Sequence, residues 1–104
     1  MRMLRESAMR NVAWQWALSD PVSAGKWLAG MPADAARDEA FSTYTDQVAM
    51  TRPDLASRWI DSIINAGQRQ DAIESVARNW LKSDRAAATA WLTRIGQPAL
   101  SSKY

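Results

Sequence analysis

The 104-residue chain contains neither cysteine nor histidine. Without thiols it has no disulfide, no thiolate nucleophile and no cysteine-type zinc site. Without imidazole it lacks the commonest general base and the commonest metal ligand. The sequence also has no glycine-rich phosphate loop, EF-hand spacing or nucleophile elbow. These absences predict a protein that is not an enzyme and that needs no cofactor and no metal.

Long apolar runs are missing as well. No stretch approaches the roughly 18 to 20 apolar residues that a membrane span needs, and residues 1–10 contain no apolar signal core. We therefore expect a soluble chain without membrane contacts, whose compartment the lack of thiols leaves open. Glycine and proline number only four each among many helix-forming residues, which predicts a single all-α domain.

Charge of one sign is not concentrated along most of the chain. Its 13 basic and 11 acidic residues are interspersed and give a net charge of +2. A nucleic-acid-binding protein usually shows a basic stripe along one face. A nucleic-acid interface is therefore the least favoured function, and its candidate residues are Arg2, Arg5, Arg10, Arg78 and Arg94.

An internal repeat is the strongest signal in the sequence. Trp27, Trp59 and Trp91 follow one another at intervals of 32 residues. The same shift aligns further positions of constant character, among them Ala24, Ala56 and Ala88; Leu28, Ile60 and Leu92; Val12, Tyr44 and Val76. A fixed period of this length is typical of helical repeat proteins. It divides the single domain 1–104 into copies 1–32, 33–64 and 65–96.

Each copy is predicted to form two helices, here called its first and second helix. Ala56, Trp59, Ile60 and Ile63 follow the i, i+3, i+4, i+7 spacing of an amphipathic helix. We expect Ser19, Thr51 and Ser83 to be N-caps, and we expect C-caps at Gly30, at Asn65 with Gly67, and at Gly96. The predicted helices, about six in number, cover residues 2–18, 20–30, 34–50, 53–65, 68–82 and 84–95.

A helix pair with one apolar stripe on each helix cannot bury both stripes alone, so the copies must stack. The expected fold is an all-α, right-handed α/α solenoid of three repeats. Residues 97–104 then have two interpretations. They either begin a fourth copy, or fold back so that Leu100 and Tyr104 cover the end of the stack.

The aligned segments SDPVSAGKWLAGMP, TRPDLASRWIDSII and SDRAAATAWLTRIG resemble the "SDPxxAxxWLxxLP" two-helix repeats of bacterial proteins. That family is similar in kind to tetratricopeptide and HEAT arrays. The chain departs from the tetratricopeptide pattern, because its period is 32 residues and Val12, Tyr44 and Val76 replace a small residue. The resemblance implies an α/α superhelix used for protein contacts, without cofactor or catalytic residues.

Trp14 is the first candidate for a partner-binding residue. Its counterparts in the other copies are Asp46 and Arg78, and it points away from the apolar face of its helix. A tryptophan at a position where the other copies carry charges is a candidate contact hot spot. The alternative is that Trp14 packs on a neighbouring segment or on preceding chain.

The second candidate is the column Gln15, Gln47 and Asn79, which borders the apolar face of the first helices. Regularly spaced amides can donate to and accept from an extended peptide backbone. The alternative is that these polar residues only flank the core.

Most other prominent residues are expected to be structural. Trp27, Trp59 and Trp91 lie within the apolar stripes, and Trp16 and Trp80 share a column with Val48, so all five are predicted to be core. Asp38 and Glu39 are expected to lie on a solvated surface.

The sequence thus predicts a protein- or peptide-binding scaffold module. The alternative is a structural spacer that self-associates through open solenoid ends around Leu4, Leu100 and Tyr104.

Overall fold

A computed structural model describes Asn11, Gln15, Trp16 and residues 18–104 of the chain. This part is all-helical, as predicted, and contains no β-strand. It has a short 3₁₀ helix at Ile60–Ser62 and six α-helices: α1 (Pro21–Ala29), α2 (Ala35–Ala49), α3 (Pro53–Ser57), α4 (Ala66–Ser83), α5 (Arg85–Arg94) and α6 (Leu100–Lys103). The described residues before Asp20 are also helical.

Four of the predicted helices agree with α1, α2, α4 and α5 to within two residues at each end. The prediction for 53–65 was wrong as a continuous helix. There α3 ends at Ser57, the 3₁₀ helix follows, and Ile63 is extended with ψ of 118°. The prediction for 2–18 falls mostly outside the described residues.

Two arginines bind backbone carbonyls at the end of this irregular segment. Arg37 donates to the carbonyl of Ser62 at 3.0 Å and to that of Met31 at 3.3 Å. Arg69 donates to the carbonyl of Ile63 at 3.1 Å. Arg37 and Met31 are related to Arg69 and Ile63 by the 32-residue shift. The first helices thus hold the ends of second helices through a repeated side-chain contact.

Asp38 also binds backbone groups at this junction. The expectation that Asp38 lies with Glu39 on a solvated surface was therefore wrong for Asp38. Asp38 is buried, and its two carboxylate oxygens accept hydrogen bonds from the backbone N–H groups of Ile64 and Asn65, both at 2.9 Å. These N–H groups have no helical partner after the break, so the carboxylate satisfies them.

The N-caps lie one residue later than predicted. Asp20 and Asp84 accept hydrogen bonds from the backbone N–H groups of Ser23 and Ala87, because a carboxylate is an equally good cap. The hydroxyls of Ser19 and Ser83 instead donate to carbonyls of their own preceding helix. Thr51 does not cap α3 either, since that helix begins after Arg52 without a side-chain cap.

Of the predicted C-caps, Gly30 is the C-cap of α1, although it is not left-handed, and Gly96 is left-handed directly after Ile95, the C-cap of α5. Gly96 has φ of +81°, in the left-handed region that favours glycine. Gly30 has φ of −79° and is right-handed. Asn65 is an N-cap, because its side chain accepts from the N–H of Gln68 at the start of α4.

The helices pack in two layers. The first helices α2 and α4 lie side by side. The second helix α3 packs against both of them, while α1 contacts α2 and α5 contacts α4. Neighbouring second helices hardly touch each other. Among the described helices, the first helices α2 and α4 therefore contact each other extensively, whereas neighbouring second helices do not.

The repeat columns form the core. Ala24, Ala56 and Ala88 are completely buried, and the columns of Leu28 and Tyr44 are buried in every described copy. Trp91 is buried, whereas Trp27 and Trp59 are half-buried with one face on the core.

Candidate partner-binding surfaces

Of the predicted binding residues, Gln15, Gln47 and Asn79 are helical. Trp14 falls outside the described residues. Gln15 is exposed, and Gln47 and Asn79 are half-buried. The amide of Asn79 donates to the carbonyl of Ser75 in its own helix at 2.8 Å, so one donor is already used. Gln47 makes no side-chain hydrogen bond with the described residues, which leaves its amide available to a partner.

Trp16 is the residue that the sequence interpretation missed. It was predicted to be core because Val48 shares its column, but it is 36% exposed whereas Val48 is buried. Val48 lies on α2, which contacts α1, α3 and α4. Trp16 lies before α1 and lines a cavity. The sequence alone therefore does not show which residue of an otherwise buried column is exposed.

Trp16 forms an edge-to-face pair with Trp27, with ring centroids 5.6 Å apart and an interplanar angle of 75°. Together with Gln15 and Ser19 these rings line a cavity of about 340 Å³. Two indole faces beside a primary amide offer apolar area and hydrogen bonding at one place. This combination is enriched in the hot spots of protein interfaces.

The corresponding pair in the third copy is Trp80 and Trp91, with centroids 5.7 Å apart. Here Trp91 is buried, so the pair belongs to the core. In the middle copy Val48 replaces the first tryptophan, and Trp59 stacks instead on Phe41 at 6.3 Å. Among the described aromatic pairs, the pair of the first copy is the most open to a partner.

A larger cavity of about 430 Å³ lies between the second helices of the middle and third copies. We call it the basic groove. Its polar wall contains three arginines and one acid, Arg58, Arg69, Arg94 and Asp61, and its apolar floor consists of Ile60, Ile73, Trp91 and Ile95. The end of α3, the 3₁₀ helix, the start of α4 and the end of α5 all contribute residues to its lining.

The arginines of the basic groove have different environments. Arg69 is half-buried and held by the carbonyl of Ile63. Arg58 and Arg94 are exposed and form no ion pair or side-chain hydrogen bond with described residues. The counterparts of Arg58 are Lys26 and Ala90, so the repeat pattern does not reveal this cluster. It arises only when positions from different columns meet in the folded chain.

A third cavity, of about 210 Å³, lies between the first helices α2 and α4 and is acidic. Its carboxylates belong to Glu39, Asp46 and Asp71. Glu39 accepts a hydrogen bond from the amide of Gln68 at 3.3 Å. No group of three or more potential metal ligands in the described part is arranged to hold a metal ion. This cavity and the basic groove are therefore lined by side chains of opposite charge.

Burial raises the pKa of Tyr44 to about 12, an effect partly offset by the nearby indole N–H of Trp59 and by Arg52. The Tyr44 hydroxyl donates to the carbonyl of Pro21 at 2.7 Å. The indole N–H of Trp59 is itself buried without a well-formed hydrogen bond. Tyr44 is completely buried and links α2 to the first turn of α1, which is a structural role.

Residues 97–104 fold onto the third copy. Leu100 and Tyr104 pack against the core, and the Tyr104 hydroxyl donates to Glu74 at 2.8 Å. Lys103 forms an ion pair with the same carboxylate, and both contacts hold the pKa of Glu74 below its usual value. The guanidinium of Arg78 lies 5.8 Å from the ring centroid of Tyr104. These contacts agree with the cap interpretation without excluding a fourth copy.

The arginines proposed for a nucleic-acid interface are not gathered into one described surface. Arg78 lies over Tyr104, whereas Arg94 lines the basic groove. Arg2, Arg5 and Arg10 fall outside the described residues, as does Leu4 of the self-association hypothesis.

No protein-family model matches the chain, and no curated protein or solved structure is significantly similar to it. None of the helices in the described part is long and apolar enough to cross a bilayer.

Proposed function

We propose that this chain is a protein- or peptide-binding module that acts as a scaffold and has no catalytic activity or cofactor of its own. In this proposal the three copies stack as a right-handed α/α solenoid, and the chain is one of the bacterial "SDPxxAxxWLxxLP" repeat proteins. The support for stacking is the 32-residue correspondence of buried columns and of the Arg37 and Arg69 contacts.

The observation that carries the binding proposal is the open Trp16–Trp27 pair beside Gln15. When a partner covers the exposed ring of Trp16, apolar surface is removed from water, which favours binding. Gln47 extends the surface with an available amide, and Asn79 has acceptor capacity left. Trp14 is also proposed as a binding residue, because it directly precedes Gln15 and its counterparts in the other copies are the charged residues Asp46 and Arg78.

Selection of peptides from a random displayed library on the immobilised chain tests the proposal. Peptides enriched on the chain are expected to bind it in solution by fluorescence anisotropy. Trp16→Ala should weaken this binding by about tenfold or more. Leu18→Ala is the matched control, because Leu18 is an exposed apolar residue of the same segment but does not line the cavity.

The proposal fails if no sequence is enriched over an unrelated helical protein. It also fails in its assignment of the surface if Trp16→Ala and Leu18→Ala bind equally well while circular dichroism shows both variants folded.

Self-association as a structural spacer is the second candidate. Its support is the repeat itself, since stacking can continue between chains. Against it, Leu100 and Tyr104 already cover part of the third copy. Sedimentation velocity at rising concentration decides between the two functions: a chain that remains monomeric is not a self-associating spacer, whereas growing assemblies without peptide binding favour the spacer.

A further inference from the structure

We infer that the basic groove between α3 and α5 binds an acidic peptide segment that carries an apolar anchor residue. The inference rests on the proposed function in one respect, namely that the partner is a peptide, and adds its chemical class and a second surface. The groove is separate from the Trp16–Trp27 cavity, since the two share no lining residue.

The charge of the groove gives the first argument. Three arginines face one aspartate in a cavity of about 430 Å³, whereas the whole chain has a net charge of only +2. Arg58 and Arg94 form no ion pair with described residues, so their guanidinium groups are available. Guanidinium groups bind carboxylates through paired, charge-assisted hydrogen bonds. The local excess of positive charge therefore fits a carboxylate-bearing partner.

The floor of the groove gives the second argument. It is apolar, and Ile95 at its edge is 37% exposed although its counterpart Ile63 is completely buried. An apolar side chain of a partner would cover Ile95, since Ile60, Ile73 and Trp91 are already buried. Burial of that surface adds a hydrophobic contribution that a purely ionic partner cannot obtain.

The arginines and the apolar floor together favour a peptide over a nucleic acid as the partner of the groove. A nucleic-acid backbone needs a basic stripe and gains little from an aliphatic floor. A segment with acidic residues around a leucine or tryptophan matches both the arginines and the floor, and the cavity lies within the size range of about 300 to 1,000 Å³ that is usual for ligand sites.

The groove is held open by the fold and does not need to form upon binding. Arg69 is anchored at its base by the carbonyl of Ile63. The double hydrogen bond between the amides of Gln70 and Gln97, at 2.8 and 3.0 Å, fixes the segment after α5 against α4. A preformed site avoids the entropic cost of ordering its walls.

Fluorescence anisotropy with the intact chain tests the inference. The probe is a short labelled peptide in which glutamates surround a single leucine. Its comparison probes are the same peptide with glutamine for glutamate, a pure glutamate peptide of equal length, and a single-stranded DNA. We expect the first peptide to bind at least about tenfold more tightly than each of the others, and its affinity to fall with added salt.

A pair of double variants locates the site. Arg58→Gln with Arg94→Gln should weaken binding of the acidic peptide by about tenfold or more. Lys26→Gln with Lys82→Gln removes the same charge from exposed positions outside the groove and should change the affinity by less than about threefold. All four side chains are exposed, so both variants are expected to fold, which circular dichroism checks.

Each other outcome overturns the inference. Equal loss in both double variants would show an effect of net charge alone, and tighter binding of DNA would identify a nucleic-acid surface. If library-selected peptides bind through Trp16 but the acidic peptide does not bind, the inference fails and the proposed function stands. If neither kind of peptide binds, both fail.

Discussion

The indole ring of Trp59 packs directly against the backbone of Gly25. A Cβ atom at Gly25 would overlap the indole nitrogen, would lie 2.6 Å from Cε2, and would come within 3.0 Å of the Tyr44 hydroxyl. The glycine is thus required by the close packing of the Trp59 ring against α1 and not by its backbone conformation.

Gly25→Ala should therefore destabilise the protein by about 1 to 3 kcal/mol, although alanine is the better helix former. Urea unfolding followed by circular dichroism measures the change. Gly30→Ala is the control, since the nearest atom to a Cβ there would be 3.5 Å away. Its effect should be close to zero. Equal stabilities of the two variants would show that the Gly25–Trp59 contact is not tight.

Trp59→Ala should cost about 3 to 5 kcal/mol. The ring stacks on Phe41, and its nitrogen is buried, so its removal leaves a cavity between copies. Trp27→Ala in the same column should cost clearly less, because Trp27 lines the open cavity that contains Trp16. Chemical unfolding of both variants provides the test, and a smaller loss for Trp59→Ala than for Trp27→Ala would contradict it.

Asp38→Ala should lower the free energy of unfolding by about 1.5 to 3 kcal/mol, since a buried carboxylate that accepts two N–H groups is lost. Asp46→Ala, an exposed site on the same helix, should be nearly neutral. Amide hydrogen exchange adds a local readout. The amides of Ile64 and Asn65 should exchange faster in Asp38→Ala only, and unchanged exchange would rule out the contact.

Tyr44 should titrate with a pKa of about 12, raised from 10.0 by burial. In the variant Tyr104→Phe it is the sole tyrosine, so tyrosinate absorbance reports on it alone. Below about pH 10 the group is protonated in both the folded and the unfolded chain and does not affect stability.

Between about pH 10 and pH 12 the unfolded chain releases the proton of Tyr44 and the folded chain keeps it, so stability falls as the pH rises. The pKa of Lys103 is raised by its bonds to Glu74, so deprotonation of Lys103 also lowers the stability of the folded chain as the pH rises. Comparison with Tyr44→Phe separates the two groups. A titration midpoint near 10 while circular dichroism shows the folded chain would contradict the burial of this hydroxyl.

Much of the helical architecture was predictable from the sequence, because the repeat supplies several observations of each position. For example, one column holds Ala24, Ala56 and Ala88, and all three are buried. The break after Ser57 was not predictable in this way. It is accompanied by contacts from another helix, because Asp38 accepts the N–H groups of Ile64 and Asn65 that a helix continuing to residue 65 would have bonded internally.

The candidate surfaces were harder to predict, for a related reason. A column predicts an average environment, and binding sites arise where one copy departs from that average. Trp16 has the sequence signature of a core residue and is exposed. Arg58 and Arg94 occupy unrelated columns and line the same cavity only in the folded chain.

Chemical-shift mapping tests the binding function most directly. A ¹⁵N-labelled chain is titrated with a library-selected peptide and, separately, with the acidic peptide. The selected peptide should shift the indole signals of Trp16 and Trp27 but not that of Trp59, whose N–H is buried. The acidic peptide should shift amides around Arg58 and Ile95. Absence of shifts with either peptide, or shifts confined to the acidic face around Asp46 and Asp71, would contradict the assignment of this chain as a peptide-binding module with these two surfaces.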